Sequence, residues 1–346
     1  MIIINARFLT QKITGVQRYA IDLCLELKKI YPLAIFVSPK KIIHEELAEK
    51  LGVEIFGSLN GHLWEQIELP MYASSHHSSL IVNLCNTGPI FCRSKLVVLH
   101  DIAFERFPLS FSFFFRTMYR TLIPFILRTS KFIVTDSQFS KNEISEYYKI
   151  SRDRVNVIPC ASNSYFRAIN SRENKFILAV SSISPHKNFR SLVLAFDKLD
   201  DDVELHIIGE IGANFSDTGL LNSVKNNKKI KLLGRVTDQE LRKKYSEALC
   251  FVYPSLYEGF GIPPLEAQAC GCPCLVSRVA SLPEVCGDSV LYCDPYCVDD
   301  IALKLKVIVS DSSLRKKLTE LGLNNVERYS WRKSASRLLN LIREEK

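Results

Sequence analysis

The chain has 346 residues, of which 47% are apolar and 24% charged, and its formal net charge is +8. This composition is ordinary for a globular protein and excludes a disordered, collagen-like or low-complexity chain. The length indicates two domains, because single domains cluster near about 100–150 residues. Residues 1–170 hold 20 Lys and Arg against 14 Asp and Glu. A basic half of this kind fits nucleic acid, an anionic membrane or a phosphorylated substrate equally well.

In the first half of the chain, predicted strands alternate with predicted helices. Thr14-Gly15 turns into a helix whose apolar residues, from Val16 to Ile30, recur at a spacing of three to four. Ser137 is a plausible helix cap after the last strand of this half. The predicted strands are Ile2–Ile4, Ala34–Val37, Leu80–Leu84, Leu96–Leu99 and Phe132–Thr135.

A polar stretch, residues 161–174, interrupts the pattern, which then starts again. The helix Phe189–Leu199 has one apolar stripe, and Asn188 is predicted to cap it. Trp331–Glu345 is predicted as the final helix. The predicted strands of this half are Phe176–Val180, Val203–Ile208, Ile230–Leu233, Leu249–Tyr253, Pro273–Ser277 and Val290–Tyr292.

Strands that alternate with helices predict parallel sheets covered by helices on both faces. We therefore predict two doubly wound, Rossmann-like α/β domains, residues 1–165 and 166–330, with a helix at 331–346 that packs on either one. Ligands of such sheets lie beyond the carboxyl ends of the strands, so two facing domains are expected to bind them in a cleft.

The eleven cysteines are predicted to be free thiols that pack in the interior. The apolar start of the chain, Ile2–Ile4, is interrupted at once by Asn5 and Arg7, which is not the pattern of a signal peptide. A cytoplasmic location is therefore expected. The run Cys270-Gly-Cys272-Pro-Cys274 has no second pair at zinc spacing, so no metal site is predicted. The sequence contains no stretch of 18 apolar residues, so no membrane-spanning segment is predicted.

The segment with the clearest chemistry reads Pro254-Ser-Leu-Tyr-Glu-Gly-Phe-Gly-Ile-Pro-Pro-Leu-Glu266. Its two glycines allow the backbone to approach a ligand closely, and its two prolines fit the first turn of a helix. The free N–H groups at such a helix start attract anions. Glu258 and Glu266 would repel phosphate, which favours hydroxyl groups of a sugar or ribose as their ligands.

This segment resembles the EGFG-(L/I)-P-x-L-E motif of retaining GT-B glycosyltransferases, especially family 4. Further similarity lies in Leu233–Leu241, in Ser281-Leu-Pro-Glu-Val-Cys-Gly-Asp288, in His100-Asp101 and in Ser184-Pro-His-Lys-Asn188. Together these motifs extend over nearly the whole chain, and those of the C-terminal half are the more specific.

The resemblance implies a role for each matching residue. Glu266 would bind the ribose of a nucleoside diphosphate sugar, Glu258 the hydroxyls of the transferred sugar, and Lys187 the charge of the leaving diphosphate. Backbone groups would contact the phosphate, the sugar or the base. The residues expected to supply them are Gly15, Val236, Phe260, Gly261 and Ile262.

Two positions depart from the family pattern. An arginine usually stands beside the lysine or five residues before it, where this chain has His186 and Ser182. The first strand-to-helix loop usually has two glycines, but here Thr14 precedes Gly15. Some of the phosphate charge must then be met by other groups.

His100 and an aromatic stretch each have two interpretations. His100 follows a strand, where the family's histidine lies beside the donor sugar, but it could equally be a core histidine bonded to Asp101. Residues 104–115 contain six phenylalanines, and residues 93–131 hold seven basic and two acidic residues. This stretch fits either an anionic membrane interface with a lipid-linked acceptor, or a buried helix pair with a basic edge.

The resemblance implies metal-independent transfer of a hexose, with retention, to a glycan or polyprenyl-linked oligosaccharide such as O-antigen. Because the Pro-x-Lys-Asn motif is most like that of mannosyltransferases, GDP-mannose is the favoured donor. No cofactor is expected, no nucleic-acid-binding module is recognisable, and the protein is expected in the cytoplasm or peripherally on the inner membrane face. The rivals are a GT-B sugar-nucleotide epimerase and a noncatalytic nucleotide-sugar-binding subunit.

Overall fold

The computed structural model describes residues 1–76, 79–170, 174–200, 202–210, 224 and 227–344. The chain forms two compact units. Unit 1 comprises Met1–Ile102, Phe113–Cys160 and Ser330–Lys346, and unit 2 comprises Ala103–Ser112 and Ala161–Tyr329.

The described residues of unit 1 contain a sheet of seven strands, all parallel, in the order β3-β2-β1-β4-β5-β6-β7. Ile3 of the central strand β1 lies between Ile35 and Ile81 of its neighbours. Short apolar runs form these strands because helices cover both faces of a parallel sheet. The strands are β1 Ile2–Asn5, β2 Ile35–Ser38, β3 Val53–Ile55, β4 Leu80–Asn83, β5 Lys95–Val98, β6 Phe132–Thr135 and β7 Val155–Val157.

The helices of unit 1 follow the strands in alternation. The first begins after Thr14, whose side chain forms a capping box with Gln17. Ser137 accepts a hydrogen bond from the backbone N–H of Ser140, which confirms it as a cap. The helices are Gly15–Ile30, Glu45–Leu51, Gly61–Leu63, Leu69–Ser74, Phe113–Thr129, Gln138–Tyr148 and Trp331–Arg343, with a π-helical turn at Trp64–Glu68 and 3₁₀ turns at Arg7–Thr10 and Arg152–Arg154.

Unit 2 has a second parallel sheet, of six strands within its described residues, in the order β10-β9-β8-β11-β12-β13. The strands β8 and β11 are far apart in sequence but adjacent in the sheet. Because they are parallel, the loops that follow them meet at one edge of the sheet. The strands are β8 Asn174–Val180, β9 Glu204–Ile208, β10 Ile230–Gly234, β11 Ala248–Tyr253, β12 Cys274–Ser277 and β13 Leu291–Cys293.

The helices of unit 2 bury their apolar stripes on this sheet. In the helix that begins at Phe189, for example, Leu192 and Val193 are almost fully buried. The helices are Ala103–Arg106, Phe189–Phe196, Asp238–Glu247, Ile262–Ala269, Leu282–Cys286, Val298–Ser310 and Ser312–Val326, with 3₁₀ turns at Pro108–Ser110 and Pro185–Lys187.

Several predicted elements differ from those observed. The edge strands β3 and β7 were not predicted, because each has three residues and too short a pattern to detect. The helix predicted to reach Leu199 ends at Phe196, where the N–H of Asp197 still bonds to the carbonyl of Val193. The run Asp200-Asp201-Asp202 indicates a solvated turn by its sequence, and position 201 lies outside the described residues.

The C-terminal helix belongs to unit 1. The sequence predicted that this helix could pack on either domain. It packs along Gly15–Ile30, and the rings of Trp331 and Tyr19 meet edge to face at 5.3 Å. The hydroxyl of Ser334 donates to the carbonyl of Pro159, 2.7 Å away. The structure therefore divides the chain after Cys160, close to the predicted boundary at 165.

The cysteines are unpaired, and most of them are buried. Burial raises the pKa of the Cys286 thiol to about 12, as expected of an inert interior thiol. Within the part of the chain that the structure describes, no helix has both the length and the apolar character needed to cross a bilayer.

Leu338 provides a test of how the C-terminal helix packs. Its side chain is fully buried, so Leu338→Ala should lower the free energy of unfolding of unit 1 by about 2–5 kcal/mol. Both tryptophans of the chain, Trp64 and Trp331, lie in unit 1, so denaturant unfolding followed by tryptophan fluorescence reports on this unit. Arg337→Ala, at an exposed position of the same helix, is the control. Equal midpoints for the two variants would contradict this packing.

Candidate active site

Lys187 and Glu258 form an ion pair at the carboxyl edge of the unit 2 sheet. Lys187 ends the 3₁₀ turn that follows β8, and Glu258 lies in the loop after β11. Because these strands are neighbours, the two loops meet, and Nζ of Lys187 donates to Oε1 of Glu258 over 2.6 Å. The sequence predicted both residues for the site, and the structure brings them into direct contact.

The ion pair is largely shielded from solvent. The side chains of Lys187 and Glu258 are 14% and 10% exposed. Burial is the largest influence on Glu258 and opposes its ionisation, but the charge and hydrogen bond of Lys187 together with smaller contributions from His186 and Ser255 hold the pKa of this carboxyl below its ordinary value. Tyr253 lies beneath the pair, with its hydroxyl 3.5 Å from Nζ. The pair is therefore charged on both sides at neutral pH.

The conformation of the loop from Glu258 to Ile262 is fixed by hydrogen bonds from Ser281 and by the backbone of Gly261. The hydroxyl of Ser281 lies 2.9 Å from the carbonyl oxygens of both Glu258 and Phe260. Gly261 has φ +104°, and a Cβ at this position would lie 2.7 Å from Leu282. The helix Ile262–Ala269 then starts with prolines, so its first turn presents few N–H groups, all near this loop.

Glu266 lies one turn further along the same helix and is buried. The hydroxyl of Tyr245 donates to its Oε2 at 3.3 Å, which fixes the carboxylate on the helix face. Val236 follows the end of β10 and is half-buried. Seven of the predicted site residues thus belong to unit 2, namely Lys187, Val236, Glu258, Phe260, Gly261, Ile262 and Glu266.

Gly15 and His100, the other two predicted site residues, belong to unit 1. Gly15 is the first residue of its helix, and a Cβ there would meet no atom within 4 Å. Its backbone is therefore open to a ligand.

His100 follows β5 and is buried, with both ring nitrogens engaged. Nδ1 lies 2.7 Å from Oδ2 of Asp136, and Nε2 lies 3.0 Å from the carbonyl oxygen of Leu84. Both partners accept hydrogen bonds, so both nitrogens donate and the ring is a cation. The hydrogen-bonding carboxylate is Asp136, where the sequence had offered Asp101.

The environment of His100 supports this charge. Burial acts to lower its pKa, but the charge and hydrogen bond of Asp136 outweigh burial, and the net result is a raised pKa. The ring also contacts Tyr19 edge to face at 4.6 Å. The hydrogen bonds and the raised pKa together favour the protonated ring, and they hold His100 in a defined orientation.

Comparison with known proteins shows what this chain is similar to. Residues 162–324 match the family model "Glycosyl transferases group 1". The chain is 33% identical over 231 residues to the O-antigen chain mannosyltransferase B of Escherichia coli. The aligned region covers 62% of this chain and 61% of that protein. It is 28% identical to the O-antigen chain mannosyltransferase RfbU of Salmonella typhimurium, covering 85% of this chain and 86% of that one. Residues 162–324 are thus similar to the group 1 glycosyltransferases, and the chain is similar to O-antigen chain mannosyltransferases.

Solved structures agree on the fold. A glycosyltransferase of Rickettsia africae superposes with a TM-score of 0.74 at 19% identity, covering 99% of this chain and 98% of that one. Anabaena HepE, solved with UDP and glucose, gives 0.76 at 16% identity over 99% and 98% of the two chains. The predicted GT-B class, with two Rossmann-like domains, is confirmed.

The similarity to group 1 glycosyltransferases makes the departure at His186 informative. This side chain replaces the expected arginine, is buried, and has a pKa lowered to about 3 by burial and by the adjacent Lys187. A neutral imidazole cannot supply the missing positive charge. In this part of the site the charge comes from Lys187.

Asn188 does not cap its helix through its side chain, contrary to the sequence prediction. It has φ +58°, a conformation that asparagine tolerates better than most residues. Its amide instead donates to the carbonyls of Pro254 and Pro295, at 3.1 and 2.8 Å, and so fixes the Lys187 turn to two neighbouring loops. The sequence named Asn188 as a cap and Ser281 within a motif, but it did not predict the contacts by which Asn188, Ser281 and Asp136 position the site, since their partners are distant in sequence.

The charge of His100 can be tested with Asp136→Asn. Because the pKa of His100 is raised in the folded state, the protonated ring stabilises unit 1 at pH values below the ordinary histidine pKa of about 6.5. This stabilisation is lost as the pH rises through the folded-state pKa. In the variant the charge of Asp136 is lost, and burial, the largest influence, is opposed only by the hydrogen bond to the Leu84 carbonyl and the weaker charge of Asp101, so the pKa of His100 should fall. Side-chain ¹H–¹⁵N NMR titration, with His100→Gln for assignment, measures this.

Asp153→Asn, at an exposed position of unit 1, is the matched control and should leave the titration of His100 unchanged. A His100 ring that is neutral at pH 7 in the parent protein would contradict the assignment.

Proposed function

We propose that this chain transfers mannose, with retention, from GDP-mannose to a glycan that is assembled on a lipid carrier. The observation that carries the proposal is the buried Lys187–Glu258 pair beside the start of helix Ile262–Ala269. It combines a cation for phosphate, a carboxylate for sugar hydroxyls and a helix start with free N–H groups.

In this proposal each side of the pair meets a different part of the donor. Lys187 turns to the diphosphate, and Glu258 accepts hydrogen bonds from hydroxyls of the transferred sugar. The backbone N–H groups of Phe260, Gly261 and Ile262 bind sugar and phosphate, while Glu266 binds the ribose. The base lies by the backbone near Val236. Gly15 and His100 act as the resemblance implies, with His100 contributing its charge.

The main electrostatic task is to stabilise the leaving nucleoside diphosphate. We assign this to Lys187 and the helix N–H groups, without a metal ion. A leaving phosphate oxygen then takes the proton of the acceptor hydroxyl as that hydroxyl attacks from the same face of the sugar. The proton thus goes to the departing diphosphate, so no separate protein base is needed.

The names of the relatives support the sugar and the pathway. Two are O-antigen chain mannosyltransferases, and a third, 29% identical, is the serotype-specific mannosyltransferase WbdA of Escherichia coli, of which the aligned region covers 27%. The aligned region also covers less than two thirds of the first of these proteins. Mannose and an O-antigen acceptor therefore belong to the proposal.

A membrane surface is proposed on helix Phe113–Thr129. One side of this helix buries Tyr119, Ile123, Ile126 and Leu127 in unit 1. The opposite side exposes Phe113, Phe114 and Phe125, with side chains 75%, 77% and 51% accessible. Arg120 and Arg128 of the same helix are also exposed. Exposed aromatics beside arginines fit the interface of an anionic bilayer, where a lipid-linked acceptor resides.

The donor is tested by incubating purified protein with UDP-, GDP- and dTDP-sugars and measuring the nucleoside diphosphate released. We expect slow hydrolysis of GDP-mannose. Lys187→Ala and Glu258→Ala should each lower kcat by about 100-fold or more, because each removes a preorganised group that acts on the reacting centre.

Lys198→Ala is the matched control, since Lys198 is an exposed lysine of unit 2 that pairs with Asp299. Acceptor-free isomerisation of a sugar nucleotide would favour the epimerase instead. Tight nucleotide binding without turnover, even with membrane extract as a source of acceptor, would favour the binding subunit.

The membrane surface is tested by sedimentation with vesicles that contain anionic phospholipid. Phe113→Ser together with Phe114→Ser should weaken binding at least tenfold, because each buried ring contributes about 1.5–3 kcal/mol. Binding by the parent protein should fall as salt rises. Tyr296→Ser, at a 70% exposed aromatic of unit 2, is the control, and equal binding by all three proteins would rule out this surface.

A further inference from the structure

One segment from the first half of the chain packs with unit 2. Residues Ala103–Ser112, here called the brace, follow His100-Asp101 in sequence but belong to unit 2. The brace consists of the helical turn Ala103–Arg106 and the 3₁₀ turn Pro108–Ser110. In the sequence it is part of the phenylalanine-rich stretch, but its contacts give it a place beside the donor loops.

The brace contacts the residue that precedes Lys187. The hydroxyl of Ser110 lies 2.9 Å from Nδ1 of His186. The ring of Phe111 lies nearly parallel to the imidazole, with an interplanar angle of 10° and centroids 6.1 Å apart. The hydroxyl of Ser184 lies 3.3 Å from the same nitrogen, so the nearer Ser110 hydroxyl and the Phe111 ring act together with Ser184 to orient the imidazole.

The brace also contacts the residue that precedes Glu258. The ring of Phe107 lies 5.7 Å from that of Tyr257 and 6.1 Å from that of His186. A single side chain thus spans the two loops that carry the ion pair. Inside the site, the same loops are joined by the backbone hydrogen bond from the N–H of Leu256 to the carbonyl of His186, 2.8 Å long.

We propose that the brace is a positioning element of the donor site, and that Phe107, Ser110 and Phe111 keep the Lys187 and Glu258 loops in place while a donor separates the ion pair. The inference rests on the proposed function. Without a donor, the Lys187–Glu258 bond itself links the loops. A bound donor would take Lys187 for phosphate and Glu258 for sugar hydroxyls, so this link is lost at the moment when placement of both groups matters most.

The kinetic test uses Ser110→Ala, Phe111→Ala and Phe107→Ala in the donor-hydrolysis assay. Each should raise the donor KM and lower kcat, by about three- to tenfold for Ser110→Ala, as expected for loss of one partly buried hydrogen bond. A purely structural defect would reduce only the fraction of folded enzyme and would lower kcat with KM unchanged. Ser110→Thr retains the hydroxyl and should restore both constants.

Ser310→Ala is the matched control, because this exposed serine of unit 2 bonds only within its own helix to the carbonyls of Lys306 and Val307 among the contacts described. If the three brace variants keep the KM and kcat of Ser310→Ala, the proposal is wrong.

A second measurement does not depend on activity. Hydrogen–deuterium exchange of peptides that contain Pro185–Asn188 and Ser255–Glu258 should be faster in Ser110→Ala and Phe111→Ala than in Ser310→Ala. Equal exchange would overturn the brace. If the parent protein releases nucleotide from no donor while this difference in exchange is present, the proposed function fails but the bracing contact stands.

Discussion

The buried ion pair between Lys187 and Glu258 depends on the order of the strands in the unit 2 sheet. Parallel strands present the loops after their carboxyl ends at one edge, and β8 lies directly beside β11. Two charges that are 71 residues apart in sequence thus come within 2.6 Å. Their low exposure makes each partner necessary to the other, because an unpaired charge at this depth would be strongly destabilising.

Several neutral groups hold the loops of this pair among the described residues. The neighbour of Lys187 is a histidine whose pKa is lowered by burial, so in the proposed function phosphate charge falls to the Lys187 ammonium and to backbone N–H groups. Backbone donors act only where the loop is fixed. Asn188 ties the lysine turn to two carbonyls, and Ser281 holds the carbonyls of the glutamate loop, so the N–H groups between them are preorganised for a ligand.

Unit 1 uses its polar groups differently. Both ring nitrogens of His100 form hydrogen bonds, with Asp136 and with the carbonyl of Leu84. These bonds favour the charged ring and give it a defined orientation. Helix Phe113–Thr129 is apolar on two sides: one completes the core, while the other exposes phenylalanines between arginines. The chain therefore has, in separate units, the polar site that we propose for the donor and the exposed aromatic surface that we propose for a membrane.

The sequence alone determined the alternation of strands and helices, the cap at Ser137 and the motif around Glu258, because each depends on residues that are neighbours along the chain. Only the tertiary structure paired His100 with Asp136, gave Asn188 its partners, assigned the last helix to unit 1 and placed Ala103–Ser112 in unit 2. Periodicity and capping are local properties that sequence spacing records. The partner of a buried polar group is decided by which strands become neighbours in the sheet, and that depends on the packing of the whole domain.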